Sequence, residues 1–421
     1  MNHSAQQSLP QGPGVKPPIF YGWRVVAAVF IFMTFSSGLG FYNLSVILAA
    51  LIHERGFSVS LASGATATFF IVSGFAGLGV AKLIDRFDPR YTIIGGAALA
   101  SLSILALGHV SEGWQVYVVH AIFGIGFATC NMVPGATLVA RWFERRRAQT
   151  LSIASTGLSV GGILLTPLSV KLIGDMGLTD ASPWIAALYF LGCPPIALMI
   201  RADPFHMGLG PDGDPVHIRS GGMQAPRPGT PYADAIRSRF YRFTAAAYLL
   251  IMLSQVGGFA HLFNLVATHS GTGAAAAAII ILASTSAVGR LLGGWIAGRI
   301  SLRKFTLIMM AGQMLALIIL SLAETKLALY AGAVTLGLTI GNLLMLQPLL
   351  YAQAFGVRDY PRIYSLGHMI STFGLAAGPL SMGLVHDWYA GYSGAYAFAA
   401  VISLLSAILF ISAGTIPKYE R

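Results

Sequence analysis

Charge is scarce in this sequence. Asp and Glu number 15 in 421 residues, and all charged residues together make up 10%. A soluble protein carries about 25%, so a soluble globular domain is excluded. There are two cysteines, Cys130 and Cys193, both inside apolar runs, which rules against a disulfide framework. No Ser-His-Asp pattern, metal-ligand cluster or phosphate-binding P-loop is present. An enzyme and an ATP-driven pump are therefore disfavoured, and neither cofactor nor metal is expected. The opening "MNHSAQQSLPQGPGVKPPIF" lacks the basic start, apolar middle and small-residue cleavage site of a signal peptide. The alternating segments of about ten residues that make transmembrane β-strands are missing too.

Long apolar runs are what the chain does have. Hydrophobic residues make up 55% of it, with a mean hydropathy of +0.71. Twelve runs long enough to cross a bilayer fall near 23–50, 61–82, 91–110, 114–139, 149–174, 183–200, 242–267, 274–298, 305–323, 327–352, 363–386 and 392–415. The expected fold is an all-α membrane protein of twelve transmembrane helices embedded in a lipid bilayer. The net charge of +11 invites a nucleic-acid reading, but its distribution rejects one. With twelve alternating spans, 22 of the 26 Lys and Arg fall on one side. Arg55, Lys171 and Lys326 fall on the other, and Arg290 lies within. Basic residues mark cytoplasmic loops, so both termini are expected in the cytoplasm. The expected location is a bacterial inner (cytoplasmic) membrane, with the protein a monomer.

The chain divides in two. Residues 1–22 read as an N-terminal tail, 23–200 as a six-helix bundle, 201–241 as a Pro- and Gly-rich cytoplasmic linker, 242–415 as a second six-helix bundle and 416–421 as a C-terminal tail. Setting Phe20-Tyr21 on Phe240-Tyr241 places Gly38 on Gly258. Setting Asp85 on Gly298 places Arg86 on Arg299 and Arg90 on Arg303. Paired pseudo-symmetric halves in one membrane chain suggest a transporter with its substrate near the midplane.

Twelve spans, the central loop and "DRFDPR" after the second span resemble the major facilitator superfamily. Its loop pattern has Gly, three residues, Asp, a basic residue, any residue, Gly and two basic residues. Here Asp85, Arg86 and Arg90 match as the conformational loop, whereas Ala81, Asp88, Pro89 and Tyr91 depart from it. The Gly-Trp of Tyr21–Trp23, the basic cluster and spaced glycines of Arg141–Gly162, "RADPFHMGLGPDG", "HLFNL" and "VGRLLGGWIAGR" resemble monocarboxylate transporters and the bacterial oxalate:formate antiporter group. That resemblance implies alternating-access transport of small organic anions, with the eighth-span arginine, Arg290, binding the carboxylate. The animal transporters pair a first-span lysine with an eighth-span aspartate; the matching positions here are Asn43 and Ser286, so their proton mechanism does not carry over.

Arg290 also stands out on its own chemistry. It sits inside "ILASTSAVGRLLGGWIAG", where a guanidinium is expensive and usually marks a pathway. No Asp or Glu lies deep in any span to pair with it, and its planar fork suits a carboxylate. The structural alternative is bonding to helix carbonyls. Among in-membrane histidines, His261 is the proton-carrying candidate, ahead of His368 and His120. Asn131 and Asn264 are cavity candidates, and Tyr42 and Tyr364 could close over a ligand. Glycines four residues apart at Gly157–Gly162, Gly289–Gly294 and Gly374–Pro379 read as helix-packing seams. The run Glu144–Gln149 reads as a lipid-facing anchor.

The expected function is secondary transport of small monocarboxylates, such as lactate or pyruvate, together with a proton. The rivals are an oxalate/formate-type dicarboxylate exchanger, a drug exporter and a non-transporting receptor. An exporter of cations needs a membrane-embedded acid, which is not found, and a dicarboxylate suits two cavity cations, for which only His368 in the eleventh span could serve as the second.

Overall fold

A computed structural model describes residues 20–214, 228–389 and 391–419. The tail 1–19, part of the linker at 215–227 and residues 420–421 lie outside the described residues. Among the described residues the chain is helical, with one isolated antiparallel bridge, Gly229 to Gly356. Inside a bilayer every backbone N–H and C=O must be satisfied internally, and helices do so within one segment.

Span 1 is a helix Gly22–Ser36, a π-turn Ser37–Phe41 and a second helix Asn43–His53. Span 2 is Val59–Arg86 and span 3 is Pro89–Leu107, whose start Asp88 caps by accepting from the Arg90 N–H. Span 4 is broken into Gly113–Ala128 and Met132–Trp142. The expected spans 5 and 6 share one continuous element, Arg147–Gly192, extended by Pro194–Ala197. At about 1.5 Å per residue it would far exceed one bilayer. It turns at Gly177, whose φ of 79° a side chain would resist, so the two spans meet there without a loop. The second half runs Arg239–Ser270, Thr272–Ala297, Leu302–Ser321, Lys326–Phe355, Tyr360–Tyr389 and Tyr392–Ser412, spans 7 to 12.

The outer surface suits lipid. Leu102, Leu164, Leu191 and Ile280 are between 62% and 66% exposed. Exposed Trp114, Trp184 and Trp388 all lie at the ends of spans far from the linker, where indole rings anchor at the membrane interface. Polar groups turn inward. Gln313 of span 9 donates to Ser254 Oγ and the Ile251 carbonyl of span 7 and accepts from Gln255. Gln255 is thus an interhelical bonding group.

The halves repeat at the level of single contacts. In the first, Gly157 presses on the Phe30 carbonyl, and Gly161 on the Thr34 carbonyl and the Gly38 N–H. In the second, Gly374 presses on the Leu249 carbonyl, and Gly378 on the Leu253 carbonyl and the Gly257 N–H. Spans 1 and 5 therefore pack as spans 7 and 11 do. The equivalent of Gly38 is Gly257, not Gly258, which corrects the register read from Phe20 and Phe240 by one residue. With the corrected register His261 is the counterpart of Tyr42, not of Phe41.

The linker is tied to both halves. Asp212 accepts from the backbone N–H groups of Glu144 and Arg145, and Arg145 pairs with Asp214 at 2.7 Å. Beyond the undescribed stretch, Thr230 N–H donates to Phe355 O and Val357 N–H to Pro228 O. A short helix, Tyr232–Arg237, follows inside the segment expected to be irregular.

Candidate functional site

Arg290 lies where span 8 meets spans 5 and 10, and its side chain is buried, 2% exposed. Gly341 makes this possible. A Cβ there would meet the Ser286 carbonyl at 2.4 Å and the Arg290 Cβ at 3.1 Å, so only glycine lets span 10 approach this closely. Asn342 fastens the same seam by donating to Gly289 O at 2.9 Å and Leu338 O at 2.8 Å. Across the halves, Ser152 Oγ of span 5 donates to the backbone carbonyl of Arg290 at 2.5 Å.

The guanidinium donates from Nε to Gly341 O at 3.2 Å and from Nη1 to Ser155 O. The carbonyl bonding considered for a structural role therefore exists. It does not neutralise the charge, because a carbonyl supplies only a dipole. Arg290 has no ion pair among the described residues, and a guanidinium carries five N–H donors, so donors remain for an anion.

Tyr42 and Arg290 both engage span 5: the Tyr42 ring lies at Gly162, about two helical turns along from Ser155, whose carbonyl accepts from Arg290. The π-turn is what aims Tyr42. That turn leaves Gly38 O to accept from Thr166 Oγ1 at 3.2 Å, while Ser37 Oγ donates to Leu158 O at 2.9 Å. The Tyr42 ring then lies over Gly162, where a Cβ would come within 2.8 Å of it. Such single-turn bulges are frequent at functional sites. Next to it Asn43 is fully buried, and neither atom of its amide has a hydrogen-bond partner among the described residues.

The other candidates have their own neighbours. His261 is half-buried, with Nε2 3.0 Å from Pro379 O of span 11 and its ring against Tyr392. His368 is half-buried and touches the Tyr364 ring, at 5.6 Å between centroids. Tyr364 is buried and stacks on Tyr360. Asn131 caps the second half of span 4, its Oδ1 accepting from Met132 N–H at 2.7 Å. Asn264 is exposed, and its carbonyl accepts from Thr268 Oγ1. His120 is buried against its own helix, Nδ1 2.8 Å from Val116 O.

In the conformational loop, Asp85 pairs with Arg141 of span 4 at 2.8 Å. Arg90 pairs with Asp88 at 3.2 Å, and Arg86 lies over the Phe87 ring. Where Gly298 replaces the acid in the second copy, Arg303 donates to Gly414 O instead, at 2.8 Å. The halves also touch through Gly294 against Ser152 and the Ala148 carbonyl, and through Phe75 against Phe373 at 5.8 Å. The Gly294 contact and the neighbouring Ser152–Arg290 bond close the seam between spans 5 and 8 toward the linker side.

Two further arginines turn inward, which the sequence did not reveal. Arg141 is 6% exposed and engages Asp85. In the run Glu144–Gln149, expected to anchor on lipid, Arg145 instead pairs with Asp214 of the linker, and Arg147 is only half-buried. It turns inward, donating to Phe143 O and Ala140 O. A run of basic residues gives no local signal of which member turns in.

A sequence model described as the Major Facilitator Superfamily matches residues 30–354. The chain is 23% identical to MFS-type transporter 1 of Ophiocordyceps sp. (strain BCC 1869), over 94% of this chain and 85% of that protein. It is 25% identical to Homo sapiens monocarboxylate transporter 11, over 97% and 85%. Among solved structures, the transporter FucP in its outward conformation superposes with a TM-score of 0.68 at 15% identity, over 94% of this chain and all of that one. That likeness shows the fold.

Proposed function

The chain belongs to the Major Facilitator Superfamily, and we propose that within it this protein is a secondary active transporter of small monocarboxylates, working by alternating access. The observation that carries this reading is Arg290: a buried guanidinium, bonded only to carbonyls among the described residues, at the junction of the halves. A carboxylate supplies the missing charge and takes the remaining donors as a bidentate pair. Relatives named as monocarboxylate transporters, at about a quarter identity, agree with this class of ligand. The proposed setting is the cytoplasmic membrane with both termini inside, on the strength of the basic loops.

A single carboxylate fits better than two. The eleventh span carries Arg362 at its start and His386 in its last turn, leaving His368 as the candidate for a second cation in its interior. A thermal-shift screen of the purified protein against C1–C6 acids tests this. Lactate or pyruvate is expected to raise the midpoint more than succinate or oxalate, since a ligand at a hundred times its Kd stabilises by about 2.7 kcal/mol. Stabilisation by dicarboxylates alone would mean that the anion class is wrong and that His368 is the second cation.

An entering anion is opposed by about 2.3 kcal/mol per charge per 100 mV of inside-negative potential, and a co-transported proton removes that term. His261 is the proposed carrier. Its Nε2 faces a carbonyl, which can only accept, so Nε2 holds a hydrogen and Nδ1 is left to gain the proton. It is also the repeat counterpart of Tyr42 in the first half. With an imidazole carrying the proton, uptake is expected to rise as external pH falls from about 8 to about 6. His261→Gln should flatten that rise and keep ligand binding measurable. The same profile in the variant removes His261 and leaves the acid to bring its own proton. A flat wild-type profile with clear counterflow indicates anion exchange.

A further inference from the structure

Away from Arg290, at the linker-side end of the bundle, an open cleft of about 520 Å3 is lined by Lys82 and Asp85 of span 2 and by Arg358, Asp359 and Arg362 at the start of span 11. It joins the first half to the second. Its charges are unequally satisfied. Asp85 is held by Arg141 at 2.8 Å, and Asp359 accepts from the Tyr232 backbone N–H at 2.8 Å. Arg362 lies face-on to the Tyr232 ring at 4.7 Å, which leaves its N–H edges open. Lys82, Arg358 and Arg362 have no ion pair among the described residues. Three exposed cations without an ion pair among the described residues thus border a cleft whose two carboxylates are already bonded, and its volume suits a small ligand or a headgroup.

The geometry points to a second anion site here, separate from the transport site, that takes a phosphate-bearing group. Arginine and lysine together provide the fork and the point charge that phosphate recognition uses. Its position gives it a consequence. An occupant bridges span 2 and span 11, and these must part when the linker side opens; binding therefore favours the linker-side-closed state. That consequence rests on alternating access, whereas the binding itself does not. The phosphate can come from an anionic lipid headgroup or from a soluble cytoplasmic compound.

Inorganic pyrophosphate and nanodiscs containing phosphatidylglycerol, against phosphatidylcholine alone, separate the two sources. The purified full-length protein is expected to show a saturable rise in thermal midpoint with at least one of them. The triple variant Lys82→Gln/Arg358→Gln/Arg362→Gln should weaken half-saturation by about tenfold or more. A charge-matched control, Arg24→Gln/Arg237→Gln/Lys304→Gln, should not. A cysteine placed at Ala148, on the seam with Gly294, reports opening, because the native Cys130 and Cys193 are buried. Its maleimide labelling should slow when the site is filled. A response to phosphatidylglycerol alone identifies a lipid site, and one to pyrophosphate alone a soluble ligand. No saturable response to either, or equal weakening in the control variant, overturns the site. Binding without slower labelling overturns only the coupling to closure.

Discussion

Arg290→Met is expected to abolish uptake while leaving a folded, membrane-inserted protein. Methionine keeps most of the side-chain volume and removes the charge. Losing one partner of a buried, hydrogen-bonded charge pair costs about 2–5 kcal/mol, or roughly 30-fold to several-thousand-fold in affinity. Arg290→Lys keeps the charge but not the fork, so it should transport poorly. Arg290→Ala should not transport at all.

The same variants separate the two roles open to this residue. If the bonds to Gly341 O and Ser155 O were its purpose, Arg290→Met would unfold at lower temperature. Those carbonyls sit inside helices and already accept intrahelical amides, so little is lost with their extra donor. Removing an uncompensated buried charge instead relieves the protein of a desolvation cost. Without ligand, Arg290→Met is therefore expected to melt at or above the wild-type midpoint, and the acid-dependent shift should vanish. Normal uptake by a surface-expressed Arg290→Met would end the carboxylate-anchor role. A marked fall in its midpoint would favour the structural one.

Arg290 was legible because its signal is local: one charge in a long apolar run needs no tertiary knowledge to be conspicuous. The spans and their sidedness were legible for the same reason, since hydropathy and basic loops are properties of short windows. What was not legible depends on packing. The Asp85–Arg141 pair joins residues far apart in sequence. The pair Gly257-Gly258 offers two equal choices for the register, and only contact with Gly378 decides between them. The amide of Asn131 reads as a cavity group until the break in span 4 gives it a backbone N–H to cap. The break between spans 5 and 6 was legible at 175–182, but not that a single turn at Gly177 replaces a loop there, because that depends on the backbone of one residue.

The glycine seams should prove the most sensitive positions for folding. A methyl group at Gly161 would sit 2.1 Å from the Thr34 carbonyl oxygen and 2.8 Å from the Gly38 nitrogen. At Gly378 it would sit 2.4 Å from the Leu253 oxygen and 2.8 Å from the Gly257 nitrogen. These obstacles are backbone and cannot rotate aside, so whole helices must separate. Gly79, Gly95 and Gly174 have nothing within 4 Å of the added carbon. Alanine there should be neutral or stabilising, because glycine inside a helix is worse than alanine by about 1 kcal/mol. At the seams the gain is overwhelmed by overpacking of about 1–3 kcal/mol or more. Gly161→Ala and Gly378→Ala are thus expected to lower the thermal midpoint and the yield of folded protein, each in its own half. They should also reduce uptake beyond the loss of protein, since spans 1 and 7 carry Tyr42 and His261 and would be pushed out of place. Wild-type midpoints in both seam variants, alongside the three controls, would show that the helices part at little expense and that the repeated contacts do not hold the halves together.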